Sequence, residues 1–263
     1  MKISVVTVVF NQRRFIGDAI NSVLGQDYED IEYIVIDGKS TDGTMEIIQS
    51  YKDRISVVVS EKDKGLYDAL NKGIRMATGD YVGFVHSDDL LYDSYVITKI
   101  VSEIERTRCD VLYGNGVYVS PSDLRCIVRN WVGGVYTKKK MEYGWLPLHP
   151  TVYMKRDIYL KNGNFDTSFK IGGDTELLVR YFYTLNLKVT YLDEYIIRMR
   201  MGGKSTSVWN TVDKWKEDWR LYRYYHFPFY TLPCKILRKV PQYISQKDFY
   251  THLINKIVKN EGE

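Results

Sequence analysis

The sequence predicts an α/β fold with a mostly parallel central sheet, flanked by helices and followed by a helical C-terminal tail. In the first half, β-branched runs alternate with apolar residues at helical spacing, the succession that builds a parallel sheet. The 263 residues, 44% of them hydrophobic, suffice for one substantial buried core. Polar residues follow several predicted strands, and open α/β sheets bind ligands at that end of their strands.

The first half contains the clearest elements. A continuous β-branched run over residues 3–10 predicts a first strand that is covered on both faces. Apolar residues spaced three and four apart between Phe15 and Leu24 predict the first helix. The same criteria predict strands over 33–36, 55–59 and 81–85, and helices around 47–51 and over 66–77.

The second half is less regular. It predicts a strand over 110–113, a hairpin from 117–119 and 126–130, a helix from about 174 to 185, and edge strands over 188–192 and 195–200. One domain to residue 205, followed by a helical tail over 206–263, accounts for these patterns.

Composition excludes several classes of protein. Lys and Arg number 37 against 33 Asp and Glu, an excess too small to indicate nucleic-acid binding. Cys109, Cys126 and Cys234 have neither metal-ligand nor disulfide-framework spacing, which favours a reducing, cytoplasmic setting. No window approaches the roughly 20 apolar residues of a spanning helix. We expect a chain that is soluble or lies on a membrane surface.

Four motifs occur in a familiar order: Ser4-Val-Val-Thr-Val-Val-Phe-Asn11, Asp37-Gly-Lys-Ser-Thr-Asp-Gly-Thr44, the stretch 60–73 and Ser87-Asp-Asp89. Together they resemble the inverting glycosyltransferases of family 2, which have the GT-A fold, and within them the bacterial enzymes of surface-polysaccharide assembly. The resemblance implies transfer from a nucleoside-diphosphate sugar to a hydroxyl of a glycan or lipid-linked acceptor. It also implies a nucleotide-sugar-binding half over 1–115 and an acceptor-binding half over 116–205.

A diphosphate leaving group requires neutralisation, and Mn²⁺ or Mg²⁺ held by carboxylates and phosphates supplies it. Asp88 is the predicted principal ligand of this divalent metal, with Asp89 second. The family motif is usually Asp-x-Asp, and here His86 occupies its first position. The alternative is that Ser87 or Asp88 caps a helix beginning near Leu90.

The resemblance places the nucleotide-sugar against the first two strands and the third motif. The implied contacts are Thr7, Phe10, Asn11, Asp37, Lys64, Asp68, Ser87 and Asp88. Where many relatives have two consecutive Asp residues, this chain has Asp37-Gly38, so a UDP-sugar is expected only because it is the commonest donor. Strand packing is the alternative for Thr7 and Phe10, and a capped helix with solvated charges is the alternative for Lys64. Asp42 is interpreted as a turn or N-cap residue.

Asp174 is the predicted catalytic base. It opens the helix that carries Leu177, Leu178 and Arg180, where the helix dipole favours a charged carboxylate. Glycines 172 and 173 are expected to leave room for an acceptor, and an N-cap role is the alternative for Asp174.

Two further residues are predicted on the acceptor side. His149 would bind a hydroxyl or phosphate, with a structural role as the alternative, and Glu176 would orient neighbours or neutralise Arg180. The segment Gly202-Gly-Lys-Ser205 resembles a loop that closes on the donor.

Aromatic and basic residues are mixed from Trp209 onward, a pattern that suits a membrane interface. Peripheral attachment to the inner face of the cell membrane is one interpretation. Helices packed on the catalytic domain, or on the second subunit of a homodimer, are the other.

Rival functions lack their motifs. A nucleotidyltransferase or a nicotinamide dehydrogenase requires a glycine-rich loop after the first strand, and Asn11-Gln-Arg-Arg14 has no glycine. A non-catalytic member that binds a sugar nucleotide or a glycan remains as the alternative, because His86 departs from the metal motif.

Overall fold

In a computed structural model that describes residues 1–202 and 211–238, the described strands form one sheet with helices on both faces. The strands are β1 Ile3–Val9, β2 Ile31–Asp37, β3 Val57–Ser60, β4 Tyr81–Phe84, β5 Leu90–Leu91, β6 Val111–Val119, β7 Ile127–Trp131, β8 Tyr153–Lys155 and β9 Val189–Arg200. The helices are α1 Ile16–Leu24, α2 Thr44–Ser50, α3 Leu66–Met76, α4 Val96–Thr107, α5 Lys138–Glu142, α6 Arg156–Asn162, α7 Gly173–Val179 and α8 Thr211–Tyr224. Shorter helical turns are Lys52–Arg54, His149–Thr151 and a π turn at Arg180–Thr184, and residues 231–238 are also helical.

The sheet has the order β3-β2-β1-β4-β8-β6-β9-β5, with β7 paired to β6. The first four strands are parallel, as the sequence predicts, whereas β8 runs antiparallel to both of its neighbours. Val9 pairs with Asp37, and Asp37 pairs with Ser60. The carboxyl ends of these three strands therefore lie side by side at one edge of the sheet.

Three elements differ from their predictions. The strand expected over 110–113 and the hairpin strand expected over 117–119 are one continuous strand, β6. The edge strands expected over 188–192 and 195–200 are one strand, β9, which pairs with β6 along its length and with the two-residue β5. The apparent break at Asp193 is a register shift, where the Asp193 carboxylate accepts a 2.9 Å hydrogen bond from Asn115 Nδ2. The helix expected near Leu90 begins only at Val96, because Leu90 pairs with Arg198 in the sheet.

The hydrophobic core lies on both faces of the sheet. One cluster packs α1, α2 and α4 against it, and the other contains α3, α6 and α7. Leu221, Tyr222 and Phe227 of the tail are buried in the second cluster. The described part of the tail is therefore packed on the α/β domain, while the boundary at residue 205 lies outside the described residues and stays a prediction. No helix in 1–202 or 211–238 is long and apolar enough to cross a bilayer.

Close packing explains a glycine in the middle of α3. A Cβ at Gly73 would lie 2.3 Å from Val6 Cγ1 of β1, well inside van der Waals contact. Only a residue without a side chain lets α3 approach the sheet this closely, which sets the position of the Asp63–Asp68 segment at the start of that helix.

Candidate active site

The turn after β4 carries the predicted metal motif. The Asp89 amide donates to the His86 carbonyl at 3.0 Å, and β5 begins at the next residue. Since no helix starts here, the capping alternative for Ser87 and Asp88 is wrong. Ser87 is buried within this turn, and Asp88 is half-exposed.

Arg200, at the end of β9, holds the turn in place. Its Nη1 donates to the Asp88 carbonyl at 2.8 Å and its Nη2 to Asp18 Oδ2 at 2.5 Å, while its amide donates to Asp89 Oδ1 at 3.3 Å. The guanidinium also lies 4.5 Å from the Phe15 ring centroid. Sequence reasoning missed Arg200, because nothing along the chain indicates that residues about 110 apart meet.

The two carboxyls of the turn have different environments. Burial first, and then the charge of Asp88, raise the pKa of Asp89 well above its ordinary value. Asp88 accepts no side-chain hydrogen bond from the described residues, so its carboxylate is available to a cation. Burial lowers the pKa of His86, against the opposing charges of Asp88 and Asp174. The centroid of the His86 ring lies 6.3 Å from that of the His149 ring.

The described residues bring together no group of three or more acidic, His or Cys side chains that could hold a metal alone. Mg²⁺ and Mn²⁺ are commonly bound by one or two carboxylates together with substrate phosphates. A free, half-exposed Asp88 beside a buried Asp89 fits that incomplete donor set. Asp88 and Asp89 therefore suit a metal ion whose remaining ligands come from a diphosphate.

Phe10 and Asp63 meet at the end of β1. Phe10 is 58% exposed, so the strand-packing alternative for its ring is wrong. A Cβ at Gly38 would lie 3.0 Å from Asp63 Oδ2 and 3.2 Å from Phe10 Cδ2. The Asp63 carboxylate thus occupies the space beside position 38, and Lys72 Nζ holds it at 2.6 Å.

Three predicted nucleotide contacts, Asp37, Thr7 and Asn11, form hydrogen bonds within the protein. The buried Asp37 carboxylate accepts hydrogen bonds from Ser40 and, at 2.6 Å, from Ser60 Oγ. Thr7 is buried with its hydroxyl 3.0 Å from Tyr33 Oη, which agrees with its strand-packing alternative.

Asn11 ties two loops together. It has a left-handed φ of 52°, its amide donates to Ser40 Oγ at 2.8 Å, and its Oδ1 accepts from the Thr41 amide at 2.8 Å. These hydrogen bonds join the end of β1 to the loop that follows β2.

Asp68 and Asp42 accept hydrogen bonds from backbone amides near the starts of α3 and α2, whose N-cap residues are Gly65 and Gly43. Asp68 Oδ2 accepts from the Lys64 amide at 3.0 Å at the start of α3, and the Lys64 side chain is exposed. Asp42 accepts from the amides of Thr44 and Arg13 at 3.0 Å each, which agrees with its interpretation as a turn residue.

Asp174 is the second residue of α7, and its N-cap is Gly172 without a side-chain hydrogen bond. The N-cap alternative for Asp174 is therefore wrong. Tyr67 Oη lies 3.3 Å from Asp174 Oδ1 but 2.6 Å from the Ile171 carbonyl, and the shorter distance assigns its one proton to Ile171. The Asp174 carboxylate keeps its capacity to accept a proton.

Two lysines of the tail favour the charged form of Asp174. Burial pushes the pKa of Asp174 upward, but the charges of Lys214 and Lys235, together with that of His149 at acidic pH where its ring is protonated, hold the pKa below its ordinary value. Lys214 and Lys235 both belong to the tail. A charged carboxylate at this position is the form that a general base requires.

The two glycines before Asp174 do not leave room for an acceptor, contrary to our expectation. A Cβ at Gly172 would lie 3.0 Å from Glu217 Oε2, and one at Gly173 would lie 2.7 Å from the Tyr67 ring. Both positions lack a side chain because α3 and α8 already fill the space.

His149 is buried against aromatic rings beside the site. Its ring stacks on Phe84 at 5.4 Å and packs edge-on to Phe165 at the same distance, and its Nε2 has no hydrogen-bond partner among the described residues. Burial lowers its pKa to about 4, so the ring is neutral at pH 7. An acceptor-side role for His149 stays a prediction.

Glu176 is buried and fully engaged. Its carboxylate accepts from Arg180 Nε at 2.8 Å and from Tyr225 Oη at 2.9 Å, and Arg180 also binds the carbonyls of 162–164. The predicted neutralisation of Arg180 agrees with this geometry, and direct contact with an acceptor stays a prediction. Of the predicted closing loop, positions 203–205 lie outside the described residues, as do Trp209 and residues 239–263.

The sequence model described as "Glycosyl transferase family 2" matches residues 4–172. The chain belongs to glycosyl transferase family 2. Relatives of this family 2 glycosyltransferase include a Mycobacterium bovis BCG protein named "PGL/p-HBAD biosynthesis glycosyltransferase", 24% identical, with 80% of each chain covered. Another is the glycosyltransferase GlyG of Streptococcus pneumoniae serotype 4, 25% identical, with 76% of this chain and 72% of GlyG covered.

Solved structures share the GT-A fold of the family 2 chain. S. aureus TarS 1-349, solved with UDP-GlcNAc, matches with a TM-score of 0.67 and 21% identity over 84% of this chain and 65% of that one. The mannosyltransferase PcManGT from Pyrobaculum calidifontis, solved with GDP-Man and Mn²⁺, matches with a TM-score of 0.63 and 15% identity. The match covers 97% of this chain and 80% of PcManGT. The family 2 chain spans 37% of the longer TarS chain.

Proposed function

We propose that this glycosyltransferase moves a sugar, with inversion, from a nucleoside-diphosphate sugar to a hydroxyl of a glycan or lipid-linked acceptor of cell-surface polysaccharide synthesis. One observation carries the proposal. The His86 ring, two residues before Asp88, lies 6.3 Å from the His149 ring, and His149 packs on Phe165. Phe165 in turn stacks on Tyr67, whose hydroxyl lies 3.3 Å from Asp174 Oδ1. This chain of contacts places the turn after β4 near the start of α7, so a donor diphosphate at Asp88 and an acceptor hydroxyl at Asp174 would belong to one site.

The reaction is a single displacement. The acceptor oxygen forms a bond to the anomeric carbon while the bond from that carbon to the diphosphate oxygen breaks. The hydroxyl proton passes to the Asp174 carboxylate, which its surroundings keep charged. One attack inverts the anomeric configuration, so an α-linked donor gives a β-linked product.

Asp88 would be the principal ligand of Mn²⁺ or Mg²⁺, and Asp89 the second. The ion would neutralise the charge that develops on the departing diphosphate. GDP-Man and Mn²⁺ in PcManGT are a precedent for this combination in the fold. Arg200 keeps the Asp88–Asp89 backbone in place for the ion.

A UDP-sugar is the proposed donor, with UDP-GlcNAc in TarS as a precedent. The exposed Phe10 ring offers a stacking surface for the base, and the adjacent Asp63 carboxylate can accept a hydrogen bond from an imide N–H. Asp63 would then supply the hydrogen-bond acceptor for the base that many relatives provide with an Asp at the position of Gly38.

Carboxylate variants test this assignment. We expect Asp174→Asn and Asp88→Ala each to lower transfer by at least 100-fold, and EDTA to abolish it until Mn²⁺ is restored. The control is Asp157→Asn, which removes an exposed carboxylate of α6 that pairs with Lys161. Full transfer activity in both Asp174→Asn and Asp88→Ala would contradict the proposal, and activity unaffected by EDTA would contradict the metal alone.

The alternative function is a non-catalytic member that binds a sugar nucleotide or glycan. The observation that favours it is His86, a histidine with lowered pKa in place of the usual first acidic residue. Hydrolysis of UDP-sugars separates the two functions, because a binding protein leaves them intact over hours at micromolar concentration while a transferase releases UDP.

We also propose that the enzyme works at the inner face of a cell membrane. Phe229 is 84% exposed, Tyr224 75% and Leu237 68%, and exposed Arg220, Arg223 and Arg238 belong to the same segments. Aromatic rings and cations together suit an anionic headgroup layer.

Vesicle co-sedimentation tests the attachment. We expect binding to vesicles of phosphatidylglycerol and phosphatidylcholine, weak binding to phosphatidylcholine alone, and at least a fivefold loss in Phe229→Ala/Leu237→Ala. Phe10→Ala is the control, since Phe10 is an exposed ring at the active site. Unchanged binding in the double variant would contradict the proposal, and a concentration-dependent dimer that this variant dissociates would assign the same surface to a homodimer.

A further inference from the structure

Glu217 of α8 binds the backbone directly before the proposed base. Its Oε1 accepts from the Lys170 amide at 3.0 Å, and its Oε2 accepts from the amides of Ile171 at 3.3 Å and Gly172 at 2.7 Å. One carboxylate thus satisfies three consecutive N–H groups, and it comes from a helix 45 or more residues further along the chain.

Tyr67 of α3 binds the same segment from the other side. Its hydroxyl accepts from the Gly173 amide at 2.9 Å and donates to the Ile171 carbonyl at 2.6 Å. All four amides from Lys170 to Gly173 therefore donate to side chains outside the segment. Because the side chains of Tyr67 and Glu217 lie against Gly173 and Gly172, the backbone has little room to shift.

A second contact joins the tail to α7. Tyr225, directly after α8, donates to Glu176 Oε1 at 2.9 Å. The half-buried Lys214, one turn before Glu217, and the buried Lys235 contribute positive charge around Asp174. The tail follows the family-matched residues 4–172, yet it supports the segment that carries the proposed base.

We infer that Glu217 is a positioning residue for catalysis, which fixes Asp174 against the acceptor by binding the amides of 170–172. The inference rests on the proposed role of Asp174 as the base. Without the Glu217 carboxylate, three amide donors lose their acceptor and segment 170–173 relaxes toward solvent. A displacement of about 1 Å at a reacting group lowers a rate by about 100-fold, while the donor site on β1 and β4 is untouched.

Steady-state kinetics of the full chain, with UDP-GlcNAc as the first donor probe and any donor that supports turnover thereafter, separate positioning from general damage. We expect Glu217→Ala to lower kcat about 100-fold with the donor KM and the UDP affinity from calorimetry within twofold. Glu217→Gln keeps one acceptor oxygen for Ile171 and Gly172, so we expect about a tenfold loss. Asp213→Asn is the matched control, an exposed carboxylate of α8 that pairs with Lys216, and its kcat is expected to stay unchanged.

Three outcomes overturn the inference. They are a kcat within twofold of the parent in Glu217→Ala, a parallel loss of UDP affinity, and no recovery in Glu217→Gln relative to Glu217→Ala. If Glu217→Ala does not fold, Glu217→Gln decides alone, since a kcat equal to that of Asp213→Asn contradicts positioning. Full activity in Asp174→Asn would instead remove the proposed base, whereas an inactive Asp174→Asn beside a fully active Glu217→Ala removes only the role of Glu217.

Discussion

Among residues, Lys214 has the largest of the favourable charge effects on Asp174. Its replacement by Met removes a positive charge that stabilises the carboxylate, so the pKa of Asp174 rises. A base with a higher pKa is protonated earlier as the pH falls, and we expect the acidic limb of the kcat profile to move to higher pH. Lys216→Met, which removes an exposed cation of the same helix, is expected to leave that limb unchanged. A limb that stays in place in Lys214→Met would argue against Asp174 as the titrating base.

His149 makes stability depend on pH. Its pKa is lowered from 6.5 to about 4 in the folded protein, so between these values the unfolded chain binds a proton that the folded chain does not. Its contribution is complete above pH 6.5 and is lost as the pH falls toward 4, by up to about 3 kcal/mol.

The variant His149→Phe keeps the ring stacking on Phe84 but does not titrate. We expect its free energy of unfolding, from urea denaturation, to fall by about 2 kcal/mol less than that of the parent between about pH 7.5 and pH 5. Equal losses in the two proteins would show that His149 is not a buried neutral group.

The sequence predicts Asp88 and Asp174 as site residues, but it does not predict the residues that fix their backbones. Asp88 follows a predicted strand and Asp174 follows two glycines, which are patterns that can be read locally. Arg200 and Glu217 act across about 110 and 45 residues, respectively, and only the folded chain brings them to their partners. The expectation that Gly172 and Gly173 leave room for an acceptor was wrong for the same reason. The side chains that fill the space beside them belong to elements distant in sequence.

Among elements, α3 depends on Gly73. We expect Gly73→Ala to destabilise the protein by about 1–3 kcal/mol, because its Cβ would lie 2.3 Å from Val6 Cγ1. Gly17→Ala in α1 is the matched control, where the nearest atom to the new Cβ is 3.8 Å away and helix propensity favours Ala by up to about 1 kcal/mol. Urea denaturation measures both. A Gly73→Ala variant as stable as Gly17→Ala would contradict the close contact.

The four parallel strands were predictable because each contains a short apolar run, which is rich in β-branched residues in β1, β2 and β3. The segments around β5 and β9 were not. Leu90 and Leu91 are too few to show alternation, and Asp193-Glu194 resembles a turn although it lies within β9. Acidic residues fit inside this strand because Asn115 and Tyr191 donate to Asp193 at the register shift.

For the whole molecule, the described tail belongs to the core of the catalytic domain. Phe227 is 9% exposed and Phe229 is 84% exposed, although the two rings are two residues apart. We expect Phe227→Ala to lower the free energy of unfolding by about 3–5 kcal/mol and Phe229→Ala by less than about 0.5 kcal/mol. Thermal and urea unfolding of the pair measure the difference. Similar losses would mean that the tail is not packed as described.

The composition of the tail did not distinguish between these two environments. Both phenylalanines lie in the same aromatic and basic stretch, and a mixture of this kind suits either a membrane surface or a domain core. Leu221 and Tyr222 are buried against the catalytic domain, so one face of the tail belongs to the core. The exposed rings lie on the other face, to which the proposed membrane contact applies.

The hydrogen bonds around segment 170–173 also impose an order on biosynthesis. A chain emerging from the ribosome contains β1 to β4, Phe10 and Asp88 long before α8 is translated, and domains generally fold as their residues emerge. The amides of 170–172 lack this acceptor until Glu217, 45 or more residues further along the chain, has been translated. If Asp174 is the base, a nascent chain that ends before α8 can carry a donor site without a competent acceptor site, and the capacity for transfer arises only after α8 has been translated.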